Sequence, residues 1–365
     1  MIRTLRRPRT PFTVLGLLVA LVATGCGLTT GSGGSPGPLS ATRVGFSPGG
    51  GLVWESDADL ARDLDNAAST GAKLIRVDVN WTGVQPNGPS QFRWSYIDRA
   101  VNAVQARGMH VLMTLDYTPL WARRSSCSSS MFCPPADPNA YANFARAAAG
   151  RYGPQGVHAY EVWNEPNLGQ WWVGGPDAPG YVTLLKAAYP AIHAGDPGAT
   201  VITGGLAPHG DLGASPNDPV SPVNFLKAMY AAGAHGFFDA FGIHPYPPLP
   251  HAPLSGKVGW NALLQTRLEH DTMVAGGDGN KQIWGTEYGA PTGTSSKSVS
   301  EATQAQYVID GYNYWSGLSF TGPLFVDTLR DSMTSGSDWS AHMGVTRSDF
   351  SPKPALGAMR TLVRG

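Results

Sequence analysis

The stretch VHAYEVWNEPN, residues 157–167, decides the fold. Its first half is an apolar run of strand-forming residues, and it ends on two adjacent polar groups, Asn164 and Glu165, followed at once by Pro166. β-Branched and aromatic residues in a short run mark a buried strand, and a following proline stops it. The strand therefore delivers a carboxylate to its carboxyl end. A second carboxylate stands in the same kind of context further on, Glu287 in IWGTEYG, residues 283–289.

Working outward, short apolar segments recur from Ala41 onward and alternate with helix-length amphipathic ones. This alternation favours a parallel α/β design over an all-β sandwich. The predicted strands are residues 42–47, 73–79, 108–116, 156–163, 200–205, 238–244, 281–287 and 321–327. Helical stretches lie between them, near 57–70, 94–107, 139–151, 181–194, 221–233, 260–273 and 298–316, with a terminal one near 353–363. Eight alternations in one chain predict a (β/α)8 TIM barrel. Pro138-Asn139 makes a start for the third helix, and Ser298 followed by Glu301 has capping-box spacing before the seventh. The competing fold is a doubly wound open sheet. It would carry a glycine-rich nucleotide fingerprint after the first strand, and FSPGGGL, residues 46–52, has the glycines without the G-x-G-x-x-G order.

If Glu165 ends strand four and Glu287 ends strand seven, both open on the face where such barrels assemble their chemistry, across the pocket from one another. A carboxyl separation of roughly 5–5.5 Å suits a nucleophile and its acid, whereas roughly 6.5–9.5 Å leaves room for an attacking water. The bland alternative is two ordinary strand-end carboxylates, one satisfying an arginine and the other a helix terminus. Two of them at compatible strand ends, each among aromatic residues, argue against it.

Composition narrows the ligand. The chain has 365 residues, 42% hydrophobic and only 14% charged, with 46 glycines and 30 prolines that suit long ordered loops rather than a helical bundle. Removing Arg3, Arg6, Arg7 and Arg9 at the start leaves 22 basic against 26 acidic side chains, which gives no support for binding nucleic acid. The 11 Trp, 13 Tyr and 12 Phe suit a neutral, hydroxyl-rich ligand better.

The first 26 residues have the pattern of an export signal: a basic start over 1–9, an apolar run over 12–23 too short for a permanent span, and a small-residue site before Cys26. ATGC, residues 23–26, resembles the bacterial lipobox, in which the cysteine is lipidated; simple secretion is the alternative. Residues 27–41 are rich in Gly, Ser and Pro and read as a flexible tether, leaving 42–365 as a single barrel domain. Cys127 and Cys133 remain, in the polar stretch RRSSCSSSMFCPP, residues 123–135. In an exported chain a close pair is most simply a disulfide; a metal site lacks a nearby histidine, and the gap is not that of a redox motif.

WNEP, residues 163–166, resembles the Asn-Glu-Pro signature of the retaining (β/α)8 glycoside hydrolases of clan A, and WGTEYG, residues 284–289, resembles their strand-seven nucleophile segment. Within the clan the chain looks most like families 39 and 5, over about residues 42–363. The resemblance implies that Glu165 is the general acid/base, that Glu287 is the nucleophile, and that Asn164 bonds the sugar 2-hydroxyl. It implies too that Arg76 stands beside the nucleophile and that Tyr246 holds it. Read by themselves, Asn164 is also suited to cap the turn before Pro166, and Arg76, inside the apolar run LIRVDV, needs a buried acid that Asp78 or another core carboxylate would also supply. His244 either binds sugar or shapes the proline-rich loop IHPYPP, residues 243–248.

Trp121, Trp171, Trp172 and Trp315 are candidate sugar platforms, with Trp171 and Trp172 preferred as walls because they sit in a glycine-flanked loop just beyond Glu165. Trp81 and Trp163 have no assigned role. Asp116, Asp327 and Asp331 fall at or beyond strand ends, and the insertion over 327–339 is suited to form a cleft wall or to bind an ion, although it lacks calcium-loop spacing. No metal site and no cofactor is assigned. The expected protein is an exported, monomeric glycoside hydrolase acting on a neutral glycan, held at the cell surface by lipid on Cys26 or secreted. A carbohydrate-binding barrel without catalysis and a transglycosylase using the same residues are the alternatives. A deacetylase or esterase would need clustered His/Asp ligands or a serine on a strand-to-helix elbow; GFSPG, residues 45–49, has the G-x-S-x-G spacing but runs on into Gly50-Gly51 rather than into a helix.

Overall fold

Eight parallel strands form where the apolar runs predict them: β1 Val44–Ser47, β2 Leu74–Asn80, β3 His110–Asp116, β4 Ala159–Val162, β5 Thr200–Thr203, β6 Ala240–Ile243, β7 Gln282–Tyr288 and β8 Thr321–Asp327. Each pairs with the next, and β8 returns to β1 to close the barrel. The structure is a computed structural model that describes residues 39–211, 215–254 and 261–364. The expected export signal, Cys26 and the tether up to residue 38 lie outside the described residues. Leu39, where the description begins, donates its amide to the Leu362 carbonyl at 2.8 Å.

The helices are α1 Asp57–Ser69, α2 Trp81–Val84, α3 Ser95–Gln105, α4 Pro138–Tyr152, α5 Ala178–Gly195, α6 Pro222–Ala231, α7 Ala262–Ala275, α8 Glu301–Ser316 and α9 Pro354–Arg364. Their starts follow local chemistry. Asp137 caps α4 with Pro138 in its first turn, and Ser221 caps α6 in the same way ahead of Pro222. At α8 the cap is Ser300, which accepts from the Thr303 amide at 3.1 Å, and not Ser298 as the spacing predicted. Ser298 instead donates its hydroxyl to the Thr292 carbonyl, closing the loop before the helix.

Inside the barrel the period of two sorts side chains into layers. Leu74, Leu112, Ile202, Trp284 and Phe325 fill an apolar layer toward the amino ends of the strands. Two residues further along, β2, β3, β4 and β7 place Arg76, Thr114, Glu161 and Thr286, so the next layer is polar and charged. Aliphatic and aromatic residues from the outward strand faces and the helices make the main core around this cylinder. Among the described residues, no helix is long and apolar enough to cross a membrane.

Candidate active site

The polar layer is built on Glu161, a residue to which the sequence reading gave no role. Its side chain is fully buried. Oε2 accepts from Arg76 Nε at 2.6 Å and Thr114 Oγ1 at 2.8 Å, while Oε1 accepts from Thr286 Oγ1 at 2.8 Å and the Gly205 amide at 2.9 Å. Four donors satisfy the carboxylate's lone pairs, which makes its burial tolerable. Arg76 then spends its other nitrogens upward: Nη1 donates to Glu287 Oε1 and Nη2 to Asn164 Oδ1, both at 2.8 Å. Asp78, the competing partner, is 3.8 Å from the guanidinium. Gly205 is obligatory here, because a Cβ would collide with His244 and Thr286.

Local backbone geometry aims the two glutamates. β4 stops at Val162, and Trp163 and Glu165 both adopt positive φ, 71° and 45°. Left-handed conformations at non-glycine residues cost on the order of 1–3 kcal/mol each and need surrounding contacts to hold them. Those contacts are present: the Trp163 amide donates to Leu115 O, its indole to Trp171 O, and the Glu165 amide to Gly205 O. On β7, the register against β8 shifts between Gly285 and Tyr288. Such an irregularity redirects side chains, and it explains how the adjacent Thr286 and Glu287 both face inward.

Glu165, His244 and Glu287 each place one ligand-type atom within 4.8 Å of the others. His244 Nδ1 is hydrogen-bonded to Glu165 Oε1 at 2.8 Å and lies 3.4 Å from Glu287 Oε2. Tyr246 donates its hydroxyl toward Glu287 Oε2 at 2.8 Å. That spacing would also suit a metal ion, but these atoms already satisfy one another and Arg76 and Tyr246 without one.

The environments separate the two carboxyls. Burial raises the proton affinity of Glu165, and neither the His244 hydrogen bond nor its charge reverses the rise, to which the charge on Glu287 adds. Burial also opposes ionisation of Glu287, but there His244, Arg76 and the Tyr246 hydroxyl outweigh it and hold the carboxyl below its ordinary range. Opposite shifts at neighbouring carboxyls are the mark of an acid beside a nucleophile or base. His244 is pulled down by burial and, more strongly, up by Glu287 and Glu165. Its side chain is fully buried, which makes it a link between the glutamates rather than a sugar-facing group.

The pair opens into a cleft of about 840 Å³. Trp171 lines it, stacked on Tyr117 with centroids 5.9 Å apart and backed edge-on by Phe132 at 4.7 Å. The Cys127–Cys133 disulfide forms as expected and closes the loop that carries Phe132. The other expected platforms fall elsewhere. Trp172 is 2% exposed and packs edge-on against Trp163 and Tyr181, so of the adjacent pair only Trp171 faces the cleft. Trp315, also 2% exposed, lies on the barrel-facing side of α8 and donates to the Gly322 carbonyl. Trp121 donates to Gln85 O and meets Trp81 edge-on, outside the cleft lining. Trp163 is core.

The 327–339 insertion also lines the cleft, through Asp327 and Trp339. Trp339, not singled out by sequence, is 39% exposed there, with Lys297 Nζ 4.4 Å over its ring. Asp327 reaches the cleft and meets Tyr246 at 2.8 Å. Asp331 does not: it is buried, and Lys353 Nζ at 2.7 Å balances its charge, so this carboxylate needs no bound cation. Asp116 is buried as well, and burial pushes its carboxyl well above the usual range.

Residues 38–319 match the cellulase family, described as glycosyl hydrolase family 5. No curated protein matches the chain. Among solved structures, it is similar to a family 39 glycoside hydrolase from Bacteroides cellulosilyticus, with TM-score 0.70, 22% identity and coverage of 90% of this chain and 65% of that one. A monomeric β-xylosidase from Caulobacter crescentus matches with TM-score 0.66 and 18% identity over 90% of this chain and 69% of that one. GH5_18 from Streptomyces cattleya, solved with GlcNAc, matches with TM-score 0.66 and 18% identity over 90% and 80%. The chain thus spans about two thirds of the length of the first two, and at these identities the structures speak for the fold.

Proposed function

Because the chain belongs to the cellulase family, glycosyl hydrolase family 5, we propose that it hydrolyses O-glycosidic bonds of a neutral oligo- or polysaccharide by double displacement, with Glu287 as nucleophile and Glu165 as acid/base. The observation that carries this reading is the close approach of the two carboxyl groups, within 4.8 Å, together with their opposite proton affinities. One oxygen of each group lies within that distance, a closeness that favours a nucleophile over the wider spacing that a separately activated water needs.

In the first step a Glu287 oxygen bonds to the anomeric carbon as the glycosidic C–O bond breaks, and the Glu165 proton passes to the departing oxygen. Forming the ester removes the Glu287 charge that had raised the proton affinity of Glu165. Glu165 is then free to take a proton from water, whose oxygen displaces Glu287 from the anomeric carbon. Asn164 is suited to the sugar 2-hydroxyl, since Arg76 holds its carbonyl oxygen and leaves the amide nitrogen to donate or a sugar hydroxyl to approach. The Glu287 carboxylate, with Asp78 beside it in the cleft, supports a neutral rather than an anionic sugar. The first 26 residues support export, with Cys26 as the proposed lipid attachment site.

Leaving-group kinetics test the acid. With Glu165→Ala, kcat/KM for glycosides of poor leaving groups is expected to fall about 10²–10⁴-fold, the contribution of general acid catalysis. For an activated dinitrophenyl glycoside the same constant should change far less, because that leaving group departs without a proton. Equal losses on both substrates would remove Glu165 from this role.

A further inference from the structure

Tyr246 Oη lies 2.8 Å from Glu287 Oε2 and 2.8 Å from Asp327 Oδ2. A phenol has one proton to donate. If it goes to Glu287, the contact with Asp327 is a hydrogen bond only when Asp327 is the donor. The two acids differ in their company. Glu287 faces the Arg76 guanidinium at 2.8 Å and His244 at 3.4 Å, whereas Asp327 has no ion pair among the described residues.

We propose that Asp327 is a positioning residue for the hydrolytic reaction: it keeps its proton at neutral pH, donates it to the Tyr246 oxygen, and thereby commits the Tyr246 hydroxyl to Glu287. The role rests on Glu287 being the nucleophile. Burial first, and then the charge on Glu287, push the Asp327 carboxyl up to about 8. The groups that face it are Glu287 on β7, Tyr246 and His244 beyond β6, and Arg76 on β2, while Asp78, Glu165 and Lys297 line the same cleft. The Tyr246 hydroxyl, His244 and Arg76 favour the ionised form, but burial and Glu287 prevail. As pH rises through the Asp327 titration, a second negative charge appears beside the same hydroxyl. Tyr246 then has two ionised acceptors for one proton, and its hold on the nucleophile is shared.

The test uses kcat/KM for a dinitrophenyl glycoside, which reports ester formation without calling on the Glu165 proton. The wild-type constant should fall as pH rises through about 8. Asp327→Ala removes the donor and should lower the constant about tenfold or more at pH 7, the effect of one lost buried hydrogen bond. Asp327→Asn still donates to Tyr246 and cannot ionise, so it should recover most of that loss and show no fall near the Asp327 titration. Loss in Asp327→Asn equal to that in Asp327→Ala, or an unchanged alkaline fall in it, would overturn the proposal. Infrared spectra of folded wild type and Asp327→Asn at pH 7 give a second reading. Their difference should contain the stretch of one protonated carboxyl group, and its absence would overturn the proposal too. If the wild type cleaves no glycoside, the hydrolase reading fails, while the spectrum still decides whether Asp327 carries the proton.

Discussion

Glu287→Ala is expected to lower kcat on an aryl glycoside by at least about 10⁴-fold, the scale of losing a nucleophile that acts in concert with its partners. Three groups converge on this one carboxylate, Arg76, Tyr246 and His244, and none of them can attack an anomeric carbon in its place. The variant should nevertheless fold, because Arg76 keeps its bond to the buried Glu161 and its bond to Asn164. Added azide, small enough to occupy the vacated space, is expected to restore turnover of an activated substrate and to yield a glycosyl azide of inverted configuration. Steady-state rates with and without azide, followed by product NMR, check both statements. Wild-type activity in a folded Glu287→Ala protein would remove the residue from the chemistry.

Glu161→Ala is expected to be the more damaging change to the fold. It leaves Arg76 Nε, two threonine hydroxyls and the Gly205 amide without their shared acceptor in the barrel interior. Breaking a buried pair by removing one partner costs about 3–5 kcal/mol, because the surviving charge stays desolvated. Glu161→Gln should fall between wild type and alanine. Its oxygen still accepts on one side, while its amide group turns donors toward donors on the other. Urea denaturation of the three proteins measures this directly as a shift of midpoint at constant slope. Activity should fall along with stability, since Arg76 links this layer to Glu287. Equal stability of Glu161→Ala and wild type would show that the polar layer does not depend on this residue.

How much of this was legible in the sequence follows from how local each signal is. Strand runs and helix starts depend on neighbours a few residues apart, and the barrel could be read from them. Glu165 and Glu287 were readable because each ends an apolar run, so the fold itself brings them to one face. Arg76 announced a need for a buried acid, and the structure supplies two, Glu287 and Glu161. The second was present as the only charge in AYEVW, but its facing residue lies 85 positions away across the barrel.

Loop residues were harder. Trp171 and Trp172 are chemically identical neighbours, and only loop backbone geometry, fixed in part by the Trp163 indole on the Trp171 carbonyl, decides which one meets solvent. Trp315 is buried by the face of α8 on which it falls, a choice set by packing against β8. Trp339 belongs to an insertion with no periodicity to orient it. Ser298 and Ser300 precede the same helix, and tertiary bonding to Thr292 diverts the first.

The central claim is that Glu287 forms a covalent bond to the sugar before water does. The anomeric configuration of the first product, followed by proton NMR from the moment of mixing with a glycoside of defined configuration, tests it most directly. Retention of configuration is the predicted result. Inversion would require water to attack in a single displacement and would contradict it.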